Sequence, residues 1–494
     1  MKEEFPFSLK SIRTDVDSEE IGFRLYGEKA KPVHFATGFF RGILGKYATT
    51  DLLSRFVYVV NARGQVKQGC EIEDIMAELQ SEKIIEDGIS KTNVQALRGM
   101  MQSLLNADQA VFGEKGSFVS YSAASVQFVT GKATYEEVGE IGAGILKTAC
   151  PELAKTLKTL LLDTQDEIST LFAPVPCEMV SASEDCGQLP GWVSKVNKHP
   201  AWDNFISSVK RSGTFLEHNI SGQPKLLAIR TIVHFAIFHL IRYLAKQESF
   251  HDKNAPSVIP LLAVYAKNRR PALAASSRSS FLQVGQSMAR FYALMYTKRF
   301  TREKMDSKKL LSIQQAPLYD EKKTLTAADK KRALQNDETW KTAKNMAGEE
   351  PTEKLKVLRL GRAIHDMVAT ASDVSPTKYI RGLALKSGIL YPPTPRIIPY
   401  FRFSQDITSM LVFASVENAK GIAGDIFLQN LRDNFDVVTG ALGSDFSFCT
   451  DHLRTMRVDE DELNANGEAF IDQICDMGYG TILADGIFRV SIGE

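Results

Sequence analysis

Apolar residues recur along this chain mainly at helical spacing. They return every three or four positions in several stretches, which is the pattern of amphipathic helices. Such stretches lie at residues 71–81, 93–105 and 147–162. Pro224 opens a longer stretch, to Gln247, that is apolar on most sides and typical of a central helix. Phe56 to Val60 is rich in β-branched and aromatic residues and predicts a short strand, with a turn through Gly64. The pattern therefore predicts a mainly α-helical fold with minor β-structure.

The C-terminal part of the chain predicts a specific order of elements. Pro376 and Gly388 bracket a helix at 376–387, and a proline-rich extended connection follows. Apolar spacing predicts further helices at about 405–420, 425–440 and 460–477. Asp485-Gly486 lies between two short apolar runs, which is a strong hairpin signal. Three helices and a hairpin follow one another in a winged helix, so we predict a C-terminal winged-helix-like module.

Breaks in the pattern predict the domain organisation. Residues 169–191 contain three prolines and an acidic, serine-rich cluster, which indicates a loop and a domain boundary. The segment from Tyr319 to Pro351 is highly charged, which predicts a solvated helical linker or a partly disordered segment. We expect an N-terminal mainly helical domain with a few strands at 1–175, a basic helical domain at 190–317, a charged linker at 318–352 and a C-terminal helical domain at 353–494.

Composition narrows the class of protein. The chain has 494 residues, of which 44% are hydrophobic and 24% charged, as in soluble globular proteins. The longest charge-free stretches, 116–131 and 254–266, have 16 and 13 residues, whereas a membrane-spanning helix needs about 20. The N-terminus lacks a continuous apolar run, and the six cysteines form no CxxC motif. We expect a cytoplasmic protein with reduced thiols and no membrane partner.

The net charge of +1 conceals a strong asymmetry along the chain. Residues 1–200 carry −6, residues 201–400 carry +17 and residues 401–494 carry −10. Lysine and arginine bind phosphate, so we expect the basic middle region to contact nucleic acid, either DNA or RNA. The candidate nucleic-acid-binding residues are Lys267, Arg269, Arg270, Arg278, Arg290, Lys298, Arg299 and Arg302.

Aromatic residues lie among these basic residues, but their spacing favours a different role. Phe281, Phe291 and Tyr292 share helical spacing with Val284 and Met288, which is the pattern of one buried face. We therefore interpret the aromatic residues as core residues rather than as platforms for bases. A solvated or subunit-contacting face is the alternative explanation for the basic residues.

The predicted winged-helix-like module is acidic. Residues 451–494 carry three lysines and arginines against ten aspartates and glutamates, a net charge of −7. Such a surface repels phosphate, so we expect this module to dock a partner protein rather than DNA.

The sequence contains no motif that specifies a reaction. Residues 130–134 lack two essential parts of a phosphate-binding loop, and the glycines at 139–144 are explained by helix packing or a turn. His365 and Asp366 lack further partners for a phosphohydrolase site, and Cys449, His452 and Cys475 would provide only three zinc ligands. We therefore predict no catalytic residues, no metal and no cofactor.

These observations favour a non-catalytic subunit of a larger cytoplasmic assembly. Its basic middle region would bind nucleic acid, and its acidic module would dock a partner protein. Analogy with helical subunits of bacterial machines suggests antiviral defence or genome maintenance as the setting. Two alternatives remain open: a purely structural protein–protein scaffold, and an enzyme whose site is assembled from residues distant in sequence.

Overall fold

The computed structural model describes the chain in sixteen stretches. They are residues 4–25, 32–44, 46–49, 56, 69–81, 87–104, 133–163, 177–181, 188–195, 200–266, 271–320, 326–372, 376–394, 396–418, 420–484 and 486–493. These stretches are mainly helical, which confirms the predicted class. They belong to two compact units. Unit 1 comprises Met1–Ala30, Pro190–Ser212 and Phe238–Glu494, and unit 2 comprises Lys31–Leu189 and Gly213–Ile237.

The helices and strands follow one another in this order. The helices are α1 (Leu9–Val16), α2 (Pro32–Leu44), α3 (Ile72–Ser81), α4 (Lys91–Leu104), α5 (Ala133–Ala149), α6 (Pro151–Leu162), α7 (Trp192–Lys195), α8 (Pro200–Ile220), α9 (Lys225–Ala245), α10 (Gln247–His251), α11 (Pro271–Arg302), α12 (Ser307–Ser312), α13 (Ala327–Glu349), α14 (Glu353–Ser372), α15 (Pro376–Lys386), α16 (Gln405–Phe413), α17 (Gly424–Phe435), α18 (Asp445–His452) and α19 (Glu460–Asp476). A π-helical turn, Asp17–Ile21, directly follows α1. The strands are β1 (Lys46–Thr49), β2 (Cys177–Ser181), β3 (Leu261–Leu262), β4 (Leu390–Tyr391), β5 (Tyr400–Phe401), β6 (Ile422–Ala423), β7 (Val437–Val438), β8 (Gly480–Ile482) and β9 (Phe488–Val490).

In unit 2, α2 packs directly against α5 because α5 carries glycines at the contact. A Cβ atom at Gly139 would collide with the backbone of Phe35 and Phe39, and one at Gly142 would meet the ring of Phe35. The glycines at 139–144 therefore serve close helix packing, which is one of the two roles that the sequence predicted for them.

Three predictions in unit 2 need correction. The helix predicted at 147–162 is two helices, because Pro151 cannot continue the helix that ends at Ala149. Residues 177–181, predicted as loop, form β2, because they find an antiparallel partner in β1. Phe56 is helical and buried rather than extended. Residues 57–64, the rest of that predicted strand and turn, lie outside the described residues.

Unit 1 is organised around α11, which packs against α14 and α1. The side chains of Phe281, Phe291 and Tyr292 on α11 are buried, and so are those of Tyr296 and Phe300. This confirms that the aromatic residues belong to the core.

Helix α13 lies in the segment predicted as a charged linker. It is capped at Thr326, whose hydroxyl accepts a hydrogen bond from the Asp329 amide. The Trp340 side chain is fully buried, and its indole donates a hydrogen bond to the Ile313 carbonyl at 3.2 Å. The segment is therefore a packed helix of unit 1 rather than a solvated connection.

The C-terminal elements surround a three-stranded antiparallel sheet in the order β6-β9-β8. The predicted hairpin is β8 and β9, and β6 pairs with the other edge of β9. The helix predicted at 405–420 ends at Phe413, and α18 was not predicted.

Asn466 on α19 joins these C-terminal elements to the core of unit 1. Its side-chain oxygen accepts hydrogen bonds from the amides of Tyr265 and Ala266, at 2.7 and 3.0 Å. Its side-chain amide group donates to the carbonyls of Ala263 and Thr439, at 2.8 and 2.7 Å. Because its side chain forms four hydrogen bonds to backbone on both sides, α19 is an integral part of unit 1.

One helix of the described chain, α9, is long and apolar enough to cross a membrane by length and composition alone. Inside the protein, 83% of its most apolar window is buried, as in the core helix of a soluble protein.

Candidate nucleic-acid interface

The eight predicted nucleic-acid-binding residues fall into three groups. Lys267, Arg269 and Arg270 lie outside the described residues. Arg278 lies near the start of α11. Arg290, Lys298, Arg299 and Arg302 lie on the C-terminal half of the same helix.

Acidic residues from the beginning of the chain neutralise the end of α11. Arg299 lies 3.2 Å from a carboxylate oxygen of Asp15. Arg302 donates a hydrogen bond of 2.6 Å to Glu19, which is 283 residues away in sequence, and lies 3.8 Å from Glu20. Each of these guanidinium groups therefore already has a carboxylate counter-ion within the protein.

The two remaining candidates on this half of α11 are engaged in a similar way. Arg290 donates a hydrogen bond of 2.5 Å to Glu248. The Lys298 amine lies 3.4 Å from Nδ1 of His251. Burial lowers the pKa of Lys298, while the nearby Glu20 carboxylate opposes that shift. These contacts reduce the positive field that this half of the helix can offer to a phosphate.

The start of α11 has a different environment, built around the β4–β5 hairpin. Tyr391 and Tyr400 pair across the two strands, with their ring centroids 5.8 Å apart. The Arg278 guanidinium lies over the Tyr400 ring at 5.5 Å, and the Arg402 guanidinium lies over the Tyr391 ring at 5.3 Å. We call these four residues, in the order Arg278, Tyr400, Tyr391 and Arg402, the arginine–tyrosine row.

The two tyrosines of the hairpin differ in exposure. Leu390 and Phe401 are buried, and their strand neighbours Tyr391 and Tyr400 lie on the opposite face of the hairpin. Tyr391 is 44% exposed, whereas Tyr400 is partly buried and packs against the apolar cluster that contains Leu262 and Leu273. The hairpin is fixed to α11 because the Phe401 amide donates a hydrogen bond to the Ser277 hydroxyl at 2.9 Å.

Hydrogen bonds to backbone hold the neighbouring arginines in place. Arg278 donates from Nε to the Ile398 carbonyl at 3.0 Å, and Arg381 donates to the Thr394 carbonyl at 2.9 Å. Arg396 lies on the same connection between the strands and is exposed. Since a guanidinium group has several N–H donors, Arg278 keeps donors for a ligand after this bond is made.

Acidic residues are missing from this part of the sequence. Residues 374–405 contain five lysines and arginines and no aspartate or glutamate. Within the described part of the chain, no ion pair with a carboxylate includes Arg278, Arg396 or Arg402. In this respect Arg278, Arg396 and Arg402 differ from Arg299 and Arg302, each of which has a carboxylate partner.

This arrangement can bind phosphate groups and flat rings. Arginine presents a planar fork of donors that matches phosphate oxygens, and it also stacks on aromatic faces. An exposed aromatic ring such as that of Tyr391, next to arginines, is suited to contact with nucleic acid.

Sequence reasoning identified only Arg278 of this surface. It missed Tyr391, Tyr400, Arg402 and Arg396, although the absence of acidic residues from 374–405 was a usable signal. The contact of Arg278 with the hairpin could not be predicted from the sequence, because Arg278 and its partner Ile398 are 120 positions apart.

A second cluster of titratable groups lies inside unit 1. Tyr292 donates a hydrogen bond of 2.5 Å to Asp17, and Arg13 lies 3.3 Å from the same carboxylate group. Burial raises the pKa of Asp17 to about 6. The His365 ring stacks on Tyr292 at 5.5 Å, and burial lowers its pKa to about 3. Asp17, Tyr292 and His365 are all buried, so this cluster bears on stability rather than on an open site.

The described residues were predicted to hold no metal site, and Cys449 and His452 were the nearest candidates. Among the described residues, no three or more His, Cys, Asp or Glu side chains are placed to hold a metal ion. Cys449 belongs to an apolar cluster with Leu453 and Leu463.

The C-terminal sheet carries an exposed apolar surface. Ile482 on β8 is 55% exposed, and Leu483 and Ile487 in the turn of the hairpin are 42% and 52% exposed. Ile426 at the start of α17 is 52% exposed, and the neighbouring Gly424 lies against the Phe488 ring. We call Ile426, Ile482, Leu483 and Ile487 the hairpin apolar surface.

Comparisons with protein-family models, curated proteins and solved structures gave no match to this chain. Functional inference therefore rests on the geometry of these two surfaces.

Proposed function

We propose that the protein is a non-catalytic subunit of a cytoplasmic assembly and binds nucleic acid through the arginine–tyrosine row. The observation that carries this proposal is the pairing of Arg278 and Arg402 with the tyrosines of the β4–β5 hairpin, of which Tyr391 is exposed, while neither arginine has a carboxylate counter-ion among the described residues. Arg396, which is exposed on the connection between the two strands, extends the same surface. Bacterial defence or genome maintenance is the setting we expect by analogy alone.

Binding to phosphates would make the affinity depend strongly on salt. Each neutralised phosphate releases condensed counter-ions, so affinity falls as the salt concentration rises. A charge-assisted hydrogen bond contributes about 1.5–3 kcal/mol, so the loss of one should weaken binding about tenfold or more.

Fluorescence anisotropy with labelled single- and double-stranded DNA and RNA, at low and at moderate salt, tests this proposal. We expect the double substitution Arg278→Gln and Arg402→Gln to weaken binding and to reduce the salt dependence by about one phosphate per arginine. Arg302→Gln is the matched control, because Arg302 is paired with Glu19. Equal losses in both variants, or no binding of any probe at low salt, would refute the proposal.

A second candidate function is protein docking by the C-terminal elements, which we propose form a winged-helix-like module. The strand order β6-β9-β8 and the helices that precede the hairpin support this comparison. The specific observation in favour of docking is the hairpin apolar surface, which is exposed on an acidic part of the chain. Large exposed apolar side chains grouped within a polar surround are typical of protein interfaces.

Point substitutions test docking better than truncation does. Deleting residues 405–494 would remove Asn466 and its four hydrogen bonds to the core of unit 1. We expect Ile482→Ser with Ile487→Ser to abolish capture of a basic partner protein, and Leu334→Ser, at an exposed position on α13, to leave it intact. Undiminished capture by the double variant would argue against this surface.

Salt-sensitive self-association without nucleic-acid affinity would instead support a purely structural scaffold.

A further inference from the structure

Tyr391 has features that define the class of nucleic acid further. It is more exposed than Tyr400, and it lies between the Tyr400 ring and the Arg402 guanidinium in the row. Building on the nucleic-acid binding proposed above, we propose that Tyr391 stacks on an unpaired base and that the ligand is single-stranded DNA or RNA rather than a duplex.

The ring of Tyr391 is held in position before any ligand arrives. The Tyr400 ring meets it at an interplanar angle of 66°, and Arg402 lies 5.3 Å from its centroid. The strand pairing of Leu390 with Phe401 fixes the backbone beneath it. A side chain held in this way loses little conformational freedom when it binds.

The order of groups in the row matches the chemistry of a single strand. Each ring of the row contacts an arginine and the Tyr391 ring is exposed, so phosphates and a base can both be contacted at this surface. In a duplex, each base face is covered by its neighbours in the stack. A tyrosine could reach such a face only by unstacking the base, which costs a few kcal/mol in a duplex and less in a single strand.

The test uses the full chain and compares its affinity for single-stranded and for fully base-paired nucleic acid. The probes are a labelled single-stranded DNA of about 20 nucleotides, its RNA equivalent, and a dumbbell duplex closed at both ends by non-nucleotide linkers, so that no unpaired loop base offers a free face. We expect the single strands to bind at least about tenfold more tightly than the dumbbell, as one base stack contributes about that much.

Substitutions at Tyr391 measure the contribution of its aromatic ring to binding. Tyr391→Ala should reduce the preference for single strands over the dumbbell about tenfold, while Tyr391→Phe should keep the wild-type preference. Tyr319→Ala is the matched control, since Tyr319 is also an exposed tyrosine, at 37%, and lies beside α1. Quenching of a 2-aminopurine base by wild-type protein gives a second measure of stacking that does not depend on a variant folding.

The outcomes separate this inference from the proposed function. Equal affinity for dumbbell and single strand, with loss on substitution of Arg278 and Arg402, would keep nucleic-acid binding and overturn the preference for single strands. Loss of affinity in Tyr391→Phe equal to that in Tyr391→Ala would show that the ring does not stack. No binding of any probe at low salt would refute both.

Discussion

Arg242 and Asp436 form a buried ion pair between residues that are 194 positions apart in the sequence. Nε of Arg242 lies 2.8 Å from Oδ2 of Asp436, and their side chains are 2% and 8% exposed. Nζ of Lys246 lies 3.0 Å from the same oxygen. Burial alone would raise the pKa of Asp436, but the charges of Arg242 and Lys246 hold it below its ordinary value.

Removal of the Asp436 charge should strongly destabilise unit 1. Asp436→Asn keeps a residue that tolerates the left-handed backbone at this position, where φ is 58°. It leaves two buried cations without a counter-ion, which costs about 3–5 kcal/mol. Denaturant unfolding measures this loss. Asp433→Asn, at an exposed position on the same helix, should change stability little; equal stability of the two variants would contradict the importance of the pair.

Asp17 should make the protein less stable as pH rises from about 4 to about 6. Its folded-state pKa of about 6 is above its ordinary value of 3.8, so the folded chain holds a proton that the unfolded chain releases in this range. The stability that this group contributes at low pH is lost through that window. The loss is about 3 kcal/mol, because each unit of pKa difference corresponds to about 1.36 kcal/mol. The difference in unfolding free energy between wild type and Asp17→Asn should fall by that amount; a constant difference would contradict the shift.

His365 should make the protein less stable as pH falls, which is opposite to the effect of Asp17. Its folded-state pKa of about 3 is below its ordinary value of 6.5, because the buried ring cannot accept a proton without cost. Its contribution is fully present above pH 6.5 and is lost as pH falls toward 3. Wild type should therefore lose stability on acidification faster than His365→Gln. Parallel pH curves for the two proteins would show that His365 does not titrate differently on unfolding.

Trp340 should determine whether α13 stays packed. Trp340→Ala removes a fully buried side chain that contacts the Phe5 ring at 5.1 Å, and such truncations cost about 3–5 kcal/mol. We expect trypsin to cut this variant quickly at Lys330, Lys331 or Arg332, while the wild type resists. Met346→Ala, on an exposed position of the same helix, is the control. Equal cleavage of both variants would mean that Trp340 does not hold the helix.

Local signals in the sequence predicted most helices, whereas long-range pairing was not predictable. Pro376 and the left-handed Gly388 mark both ends of α15 within a dozen residues, so their effect is visible in the sequence. β7 pairs with β3, which lies far away in the chain, and each strand has only two residues. No residue pattern of that length distinguishes a strand from a loop.

The candidate interface was partly predictable for the same reason. A count of charges along the chain drew attention to α11, but it assumed that neighbours in sequence set the local charge. Glu19 and Asp15 return from the N-terminus to Arg302 and Arg299, so these two of the eight predicted residues have counter-ions. Arg278 lacks such a partner among the described residues and instead contacts the hairpin.

Helix α11 thus carries a step in electrostatic potential along its axis. Its 32 residues span about 48 Å; Arg278 near the beginning has no carboxylate partner in the described part of the chain, whereas Arg299 and Arg302 near the end are paired. A uniformly basic helix would let a polyanion slide along it in either direction. A helix whose charge is available only near its beginning would stop a polyanion from binding along its whole length. A bound strand would then have a defined end, and hence a direction, on the protein.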